Sequence, residues 1–232
     1  VAEAQKRGQF GPEIPHREEK LRRFLALYFG EVKLIDDSVG RILSRLEELN
    51  ILDNTIVVFT TDHGEYAGEH GLSGKNNVYE TAHRIPMILR WPDALPAGTV
   101  VENVMSTVDF QPTILRLMGQ EPCGREQGRD GSPLLRGENL EWDELAHLYH
   151  VSHERAGIFT PEYQLAYIHE GEPILFDRLE DPNQTTNLYG LPEYDELVES
   201  LTQRIVSHHV DVASPAASWL VEMGTSSPRA PR

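Results

Sequence analysis

The chain has 232 residues, 39% hydrophobic and 25% charged, with a net charge of −16. That length and composition fit a soluble protein with one medium α/β domain, or a domain plus a small appendage. The acidic balance argues against nucleic acid or an anionic membrane as partner, no apolar run approaches the roughly 18 residues of a membrane span, and a single cysteine, Cys123, excludes an intramolecular disulfide.

Residues 1–18 are polar, contain Gly8, Gly11, Pro12 and Pro15, and read as an irregular leading segment. Their polar composition is not the one expected of a signal peptide. The first residue is not Met, so the chain is expected to continue something upstream, and no compartment can be assigned. From Glu19 the apolar residues Leu21, Phe24, Leu25, Tyr28, Val32, Ile35, Val39, Ile42, Leu46 and Leu49 recur at three- and four-residue steps. They predict one long amphipathic helix of roughly thirty residues, weakened at Gly30 and Gly40. Asp36 and Asp37 on this helix read as a solvated pair, and Asn50, Asp53 and Asn54 as a turn.

Ile56 to Thr61 is a β-branched and aromatic run, the composition of a buried strand. It stops at Asp62-His63-Gly64. In open α/β sheets the ends of interior strands are where ligand sites lie. Asp62 offers a hard oxygen and a neutral His63 a nitrogen, a pair able to hold a divalent cation. Gly64 permits a sharp turn. The next loop carries Glu65, Gly68, Glu69, His70 and Gly71, then Gly74-Lys75. Lys75 is a compact charge on a flexible stem, suited to one oxygen of a tetrahedral oxyanion. His70 is expected to pin this loop.

Met87 to Trp91 predicts a second strand, ended by Pro92 and Pro96. Residues 100–104 read as a short strand or extended segment. Asp109 predicts an N-cap, with Pro112 in the first turn and Gly119 as the stop. Residues 120–140 are loop-rich. His147 to Val151 reads as a strand. His147, His150 and His153 suggest zinc only superficially, because strand spacing puts 147 and 150 on opposite faces. Gln164–Ile168 and Ile174–Phe176 flank a turn and predict a hairpin. Residues 177–188 predict a capped acidic turn. Leu197, Val198, Leu201 and Ile205 predict a terminal helix, and the Ser-, Pro- and Ala-containing tail after Val210 is expected to fray.

The order of a strand, Asp-His-Gly-Glu, Gly-Glu-His-Gly, Gly-Lys, Tyr-Glu and Arg-Ile-Pro across residues 55–86 resembles the second metal-and-anion motif of the sulfatases, within the alkaline phosphatase-like superfamily. The likeness extends over residues 20–205 and corresponds to the C-terminal half of that fold. It implies part of a mostly parallel sheet flanked by helices, followed by a small antiparallel C-terminal subdomain with a terminal helix. The implied division is a leading segment 1–18, catalytic α/β domain 19–140, subdomain 141–210 and flexible tail 211–232. It also implies a sulfuric ester hydrolase in which Asp62 and His63 bind metal, calcium foremost with manganese open, and Lys75 contacts the sulfate. Glu80 and Arg84 are similar to residues that support the loop. The implied partners are a sulfated small molecule or glycan and the missing N-terminal half of the same fold.

That half is expected to carry the formylglycine, because Cys123-Gly124-Arg125 does not match the Cys-x-Pro-x-Arg or Ser-x-Pro-x-Arg pattern. Asp62 and His63 are two ligands where such a cation takes about six. The chain therefore reads as a fragment with no turnover of its own. A phosphonate monoester or phosphodiester hydrolase of the same superfamily and a non-catalytic remnant are the alternatives.

Overall fold

A computed structural model describes residues 17–150 and 152–224. The expectations for residues 1–16, Val151 and 225–232 lie outside the described residues. The chain divides into two compact units, Val1–Gly98 and Thr99–Arg232, so the boundary expected at residue 140 falls within the second of them. No helix among the described residues is long and apolar enough to cross a membrane.

The first unit opens with helix α1 (Arg17–Glu48). Glu18 and Glu19 in its first turn and Arg45 in its last complement the helix dipole. Arg22 pairs with Glu18 at 2.9 Å and Arg45 with Glu48 at 2.8 Å along the surface. Asp37 pairs with Lys33, and both stay exposed, in keeping with a solvated acidic pair. The helix stops in a Schellman motif: Ile51 N–H donates to Leu46 C=O, Asn50 N–H donates to Glu47 C=O, and Asn50 takes a φ of 54°.

Strands β1 (Val57–Thr60) and β2 (Met87–Arg90) then pair antiparallel, Val57 opposite Arg90 and Thr60 opposite Met87. Parallel neighbours were expected for β1 and none pairs with it among the described residues. The connection from β1 to β2 holds a 3₁₀ turn (Glu69–Gly71) and one helical turn, α2 (Glu80–His83), and no long helix that would carry the chain across the sheet to a parallel return. Phe59, Met87 and Ile88 remain exposed on this pair.

The backbone leaves β1 through a close contact. Gly64 N–H donates to Ala82 C=O at 3.0 Å, and a Cβ on Gly64 would sit 1.9 Å from the Thr81 carbonyl oxygen. Only glycine fits there.

In the second unit, Thr107–Asp109 forms a 3₁₀ turn that leads into α3 (Phe110–Leu117). Asp109 stands at the N-cap position of α3, as expected, but its side chain caps no N–H of that helix. Ser106 caps, and Asp109 closes the capping box from the third position by accepting Ser106 N–H at 2.9 Å. Asp109 is 1% exposed, so it needs a partner, and Arg129 provides it at 2.9 Å. Arg129 also donates to Asp143 C=O at 2.6 Å and lies 3.9 Å from the Trp142 ring centroid, so it ties its own loop to the segment that enters the sheet. Residues 100–104 form no strand and bend at Asn103. After the short helix α4 (Ser132–Leu135) come β3 (Ala146–Tyr149), β4 (Arg155–Phe159), β5 (Tyr163–Ile168) and β6 (Ile174–Asp177), an antiparallel meander in that order.

Ala156, Ile158, Leu165, Tyr167 and Leu175 share one face of the meander. Helix α5 (Asp195–Asp211) covers that face with Leu201 and Ile205. The acidic turn after β6 is capped as expected: Asp177 accepts Leu179 and Glu180 N–H, and Asp181 accepts Thr185 and Thr186 N–H.

The tail departs from the expected fraying. Residues Ala217–Gly224 form helix α6, with Ala216 and Leu220 buried in the same core. Trp219 Nε1 donates to His153 C=O at 2.9 Å.

This packing sets two expected outcomes. Leu220→Ala should cost roughly 2–4 kcal/mol of stability, read as a lower urea midpoint with an unchanged slope; a shift under about 0.5 kcal/mol would mean that the tail does not pack. Gly64→Ala should cost about 1–3 kcal/mol through backbone overlap, and an unchanged midpoint would contradict the close approach at Thr81.

Candidate functional site

The loop from Thr61 to Arg84 is built around its own small core. Tyr66, Leu72 and Ala82 are buried together with Tyr79 packed against them. Around this core the chain folds back twice, Tyr66 N–H donating to Gly74 C=O at 3.0 Å and Gly68 N–H to Leu72 C=O at 2.9 Å. One carboxylate oxygen of Glu65 accepts both Ala67 N–H at 3.2 Å and Gly74 N–H at 2.6 Å. That clamp sets where Lys75, the next residue, begins.

His70 stacks flat on Tyr79, 3.8 Å between ring centroids and 6° between planes. It pins the loop, as its position suggested. Glu80 and Arg84 pair at 3.5 Å one turn apart, and Thr81 hydrogen-bonds Glu69. His83 Nε2 donates to Asn77 C=O at 2.9 Å, and burial holds its pKa below the usual histidine value.

Asp62, His63 and Lys75 converge at the end of β1. His63 Nδ1 lies 2.8 Å from Gly64 C=O. A carbonyl only accepts, so Nδ1 carries a proton and Nε2 faces outward. Two groups meet Nε2: the Asp62 Oδ2 atom at 3.2 Å and the Lys75 side-chain nitrogen.

Asp62 is 80% exposed at its side chain. Partial desolvation pulls its carboxyl upward. Hydrogen bonds from its own and the His63 backbone N–H, the charge of His63 and the Thr61 hydroxyl outweigh that and hold it below the usual value. The group is therefore an anion at neutral pH.

The arrangement presents one anionic oxygen, one imidazole nitrogen and one ammonium in mutual contact at a strand tip. The oxygen and nitrogen suit a divalent cation as adjoining donors, and the fixed tautomer is the one that leaves Nε2 free to ligate. Among the described residues no third histidine, cysteine, aspartate or glutamate joins them.

The clamp at Glu65 was not foreseen, because its partner Gly74 lies nine residues away and no local pattern announces it. Cys123 is free and exposed in its loop. His147, His150 and His153 form no metal cluster among the described residues.

Comparison with known proteins places these features in a family. A family model described as Sulfatase matches residues 3–120, and one described as N-sulphoglucosamine sulphohydrolase, C-terminal, matches residues 68–211. The N-acetylglucosamine-6-O-sulfatase of Bacteroides thetaiotaomicron is 33% identical over 196 residues, covering 79% of this chain and 35% of that protein. A protein solved in complex with its substrate D-glucosamine-2-N,6-O-disulfate superposes with a TM-score of 0.79 at 29% identity, over 91% of this chain and 45% of that one. The phosphonate monoester hydrolase of Agrobacterium radiobacter superposes with a TM-score of 0.74 at 25% identity, over 83% of this chain and 42% of that one. The chain thus spans less than half the length of these relatives. Its match lies in their C-terminal half, and the α/β architecture agrees with theirs. By both family models and by its relatives, the chain belongs to the sulfatase family.

Proposed function

We propose that this chain provides the Asp-His-Lys side of the active site of a sulfuric ester hydrolase. The observation behind this reading is the convergence of Lys75, His63 and Asp62 at the tip of β1. In this reading Asp62 Oδ2 and His63 Nε2 hold a divalent cation, calcium in the first instance and manganese as the second, since imidazole is less typical of calcium. Such an ion, when bound, neutralises charge on a sulfate oxygen and orients the ester.

Lys75 then turns from His63 Nε2 to a sulfate oxygen. There its ammonium, on a backbone that the Glu65 clamp positions, opposes the charge that grows as the ester S–O bond breaks. His63 keeps its proton on Nδ1 throughout, held by Gly64 C=O. The nucleophile lies outside the described residues, and Cys123 lacks the sequence that would make it one. The site is completed by the N-terminal half of the fold. The exposed apolar residues of α1, β1 and β2, such as Phe29, Ile35, Phe59 and Ile88, support a reading in which that half packs on them. The substrate is a sulfated sugar in this reading, in keeping with the substrate named for one structural neighbour and the name of one relative.

A phosphonate monoester or phosphodiester hydrolase is the second reading, favoured by the structural neighbour of that activity. Both esters present a tetrahedral oxyanion to Lys75, so the site residues alone do not divide them.

The test uses a polypeptide joining this chain to a preceding segment with a Cys-x-Pro-x-Arg or Ser-x-Pro-x-Arg motif. Lys75→Ala should lower kcat/KM for an aryl sulfate by about 10²–10³, while the chain by itself turns over none. Full activity of the variant would remove Lys75 from the site. A larger kcat/KM for an aryl phosphonate monoester than for the aryl sulfate would favour the second reading.

A further inference from the structure

Three imidazoles meet where β3 faces α5. His147 lies on β3, and His208 and His209 are consecutive near the end of α5. The rings of His147 and His208 stack with centroids 3.6 Å apart and planes 2° from parallel. Tyr149, two residues along β3, hydrogen-bonds His208 Nε2 through its hydroxyl, and its ring centroid lies 4.8 Å from that of His209. His209 is 1% exposed and neither of its ring nitrogens has a hydrogen-bond partner. Nδ1 of His147 is buried and unpartnered as well.

Parallel stacked rings direct their in-plane lone pairs along separate planes, so this is not the geometry of a shared metal. A buried imidazole whose nitrogens meet no partner is tolerable only while neutral. Protonation adds a charge and a second N–H donor, with nothing to receive either.

The charged surroundings act in both directions and do not replace the missing hydrogen-bond partners. On α5 the charged groups are Arg204 and Asp211. Before β3 lies Asp143, which Arg204 already engages at 2.6 Å. On β3 itself stands Tyr149, whose pKa burial raises, so it stays neutral. The next strand, β4, brings Arg155, which contacts His150.

Burial, aided by the charges of His208, His209 and Arg204 and opposed by Asp143, pushes His147 down to about 3. Burial, with His208 adding, pushes His209 down to about 4. Burial also lowers His208, against the pull of Asp211.

We propose that His147, His208 and His209 form a proton-operated latch between β3 and α5, closed while the imidazoles are neutral and loosened when they protonate. The sign comes from linkage. The folded values lie below the ordinary histidine value of about 6.5, so the opened chain binds more protons than the folded one as the pH falls. The contribution is complete above pH ~6.5 and is lost progressively toward pH ~4. At pH 5 one such imidazole lowers the ratio of closed to open chain about thirtyfold relative to pH 8, and two lower it about a thousandfold. The latch weakens the second unit as its surroundings turn acidic. It acts apart from the Asp62 site and does not rest on the proposed reaction.

Hydrogen–deuterium exchange on the full chain at pH 8, 6 and 5, corrected for intrinsic exchange rates, tests this. Amides of residues 146–149 and 201–209 should lose about thirty- to a thousandfold of their protection by pH 5. In the double variant His147→Phe, His209→Phe the loss should stay within about threefold. Constant protection in the unsubstituted chain, or the same loss in both proteins, overturns the latch. Should the double variant fail to fold, imidazole ¹⁵N shifts of the unsubstituted chain decide. His209 is expected to stay neutral until α5 opens, and its titration near pH 6.5 in the folded helix would overturn the proposal.

Discussion

The contact that the site depends on is the one between backbones at Gly64 and Thr81-Ala82. Gly64 donates to Ala82 C=O, and its missing Cβ lets the Thr81 carbonyl approach. That approach folds the far end of the loop onto its beginning. The same residue, through its own carbonyl, receives the Nδ1 proton of His63 and thereby turns Nε2 toward Asp62 and Lys75. One glycine thus sets a backbone path and a tautomer, and both are conditions for the three side chains to meet.

The support for that geometry is local. The first unit buries Tyr66, Leu72 and Ala82 as a small cluster, while much of α1 and both strands leave apolar side chains exposed. The second unit is different: Ile158, Leu165, Leu175 and Ile205 are fully buried beneath two helices. Apolar burial is the main favourable term in folding, so the second unit carries a core of the ordinary kind. In the first, loop hydrogen bonds from Glu65, Thr81 and His83 and the His70–Tyr79 stack hold the site together. Such interactions contribute about 1 kcal/mol each, so the loop gains most from whatever covers the exposed face.

Much of this was legible in the sequence because the signals were local. The α1 periodicity, Asn50 after it, the Asp62-His63-Gly64 strand tip and the Asp177 and Asp181 turns each involve residues within a few positions of one another. What escaped was long-range or masked by composition. Asp109 reads as an N-cap from its neighbours, and only Arg129, twenty positions on, shows why its carboxylate is buried. Helix α6 hides in a stretch of Ser, Pro and Ala, and Leu220 becomes a core residue only because α5 and the sheet leave a space for it. His208 and His209 look like a polar helix end until β3 brings His147 against them. The antiparallel pairing of β1 with β2 was equally hidden, since a strand's composition does not say which way its neighbour runs.

Charge gives the proposed chemistry its sharpest constraint. The chain is strongly acidic overall, which repels an anionic ester at long range, though salt screens that field beyond about 10 Å. Close in, the Asp62 carboxylate and the Lys75 ammonium cancel. Those two groups alone give an anionic ester no net attraction. A divalent cation between Asp62 and His63 would change that balance to a net positive site, and it would also occupy the Nε2 lone pair that now holds Lys75. The ammonium would then be displaced toward the anion. Cation and oxyanion binding would be coupled through one imidazole nitrogen, with Lys75 moving from nitrogen to oxygen as the site fills.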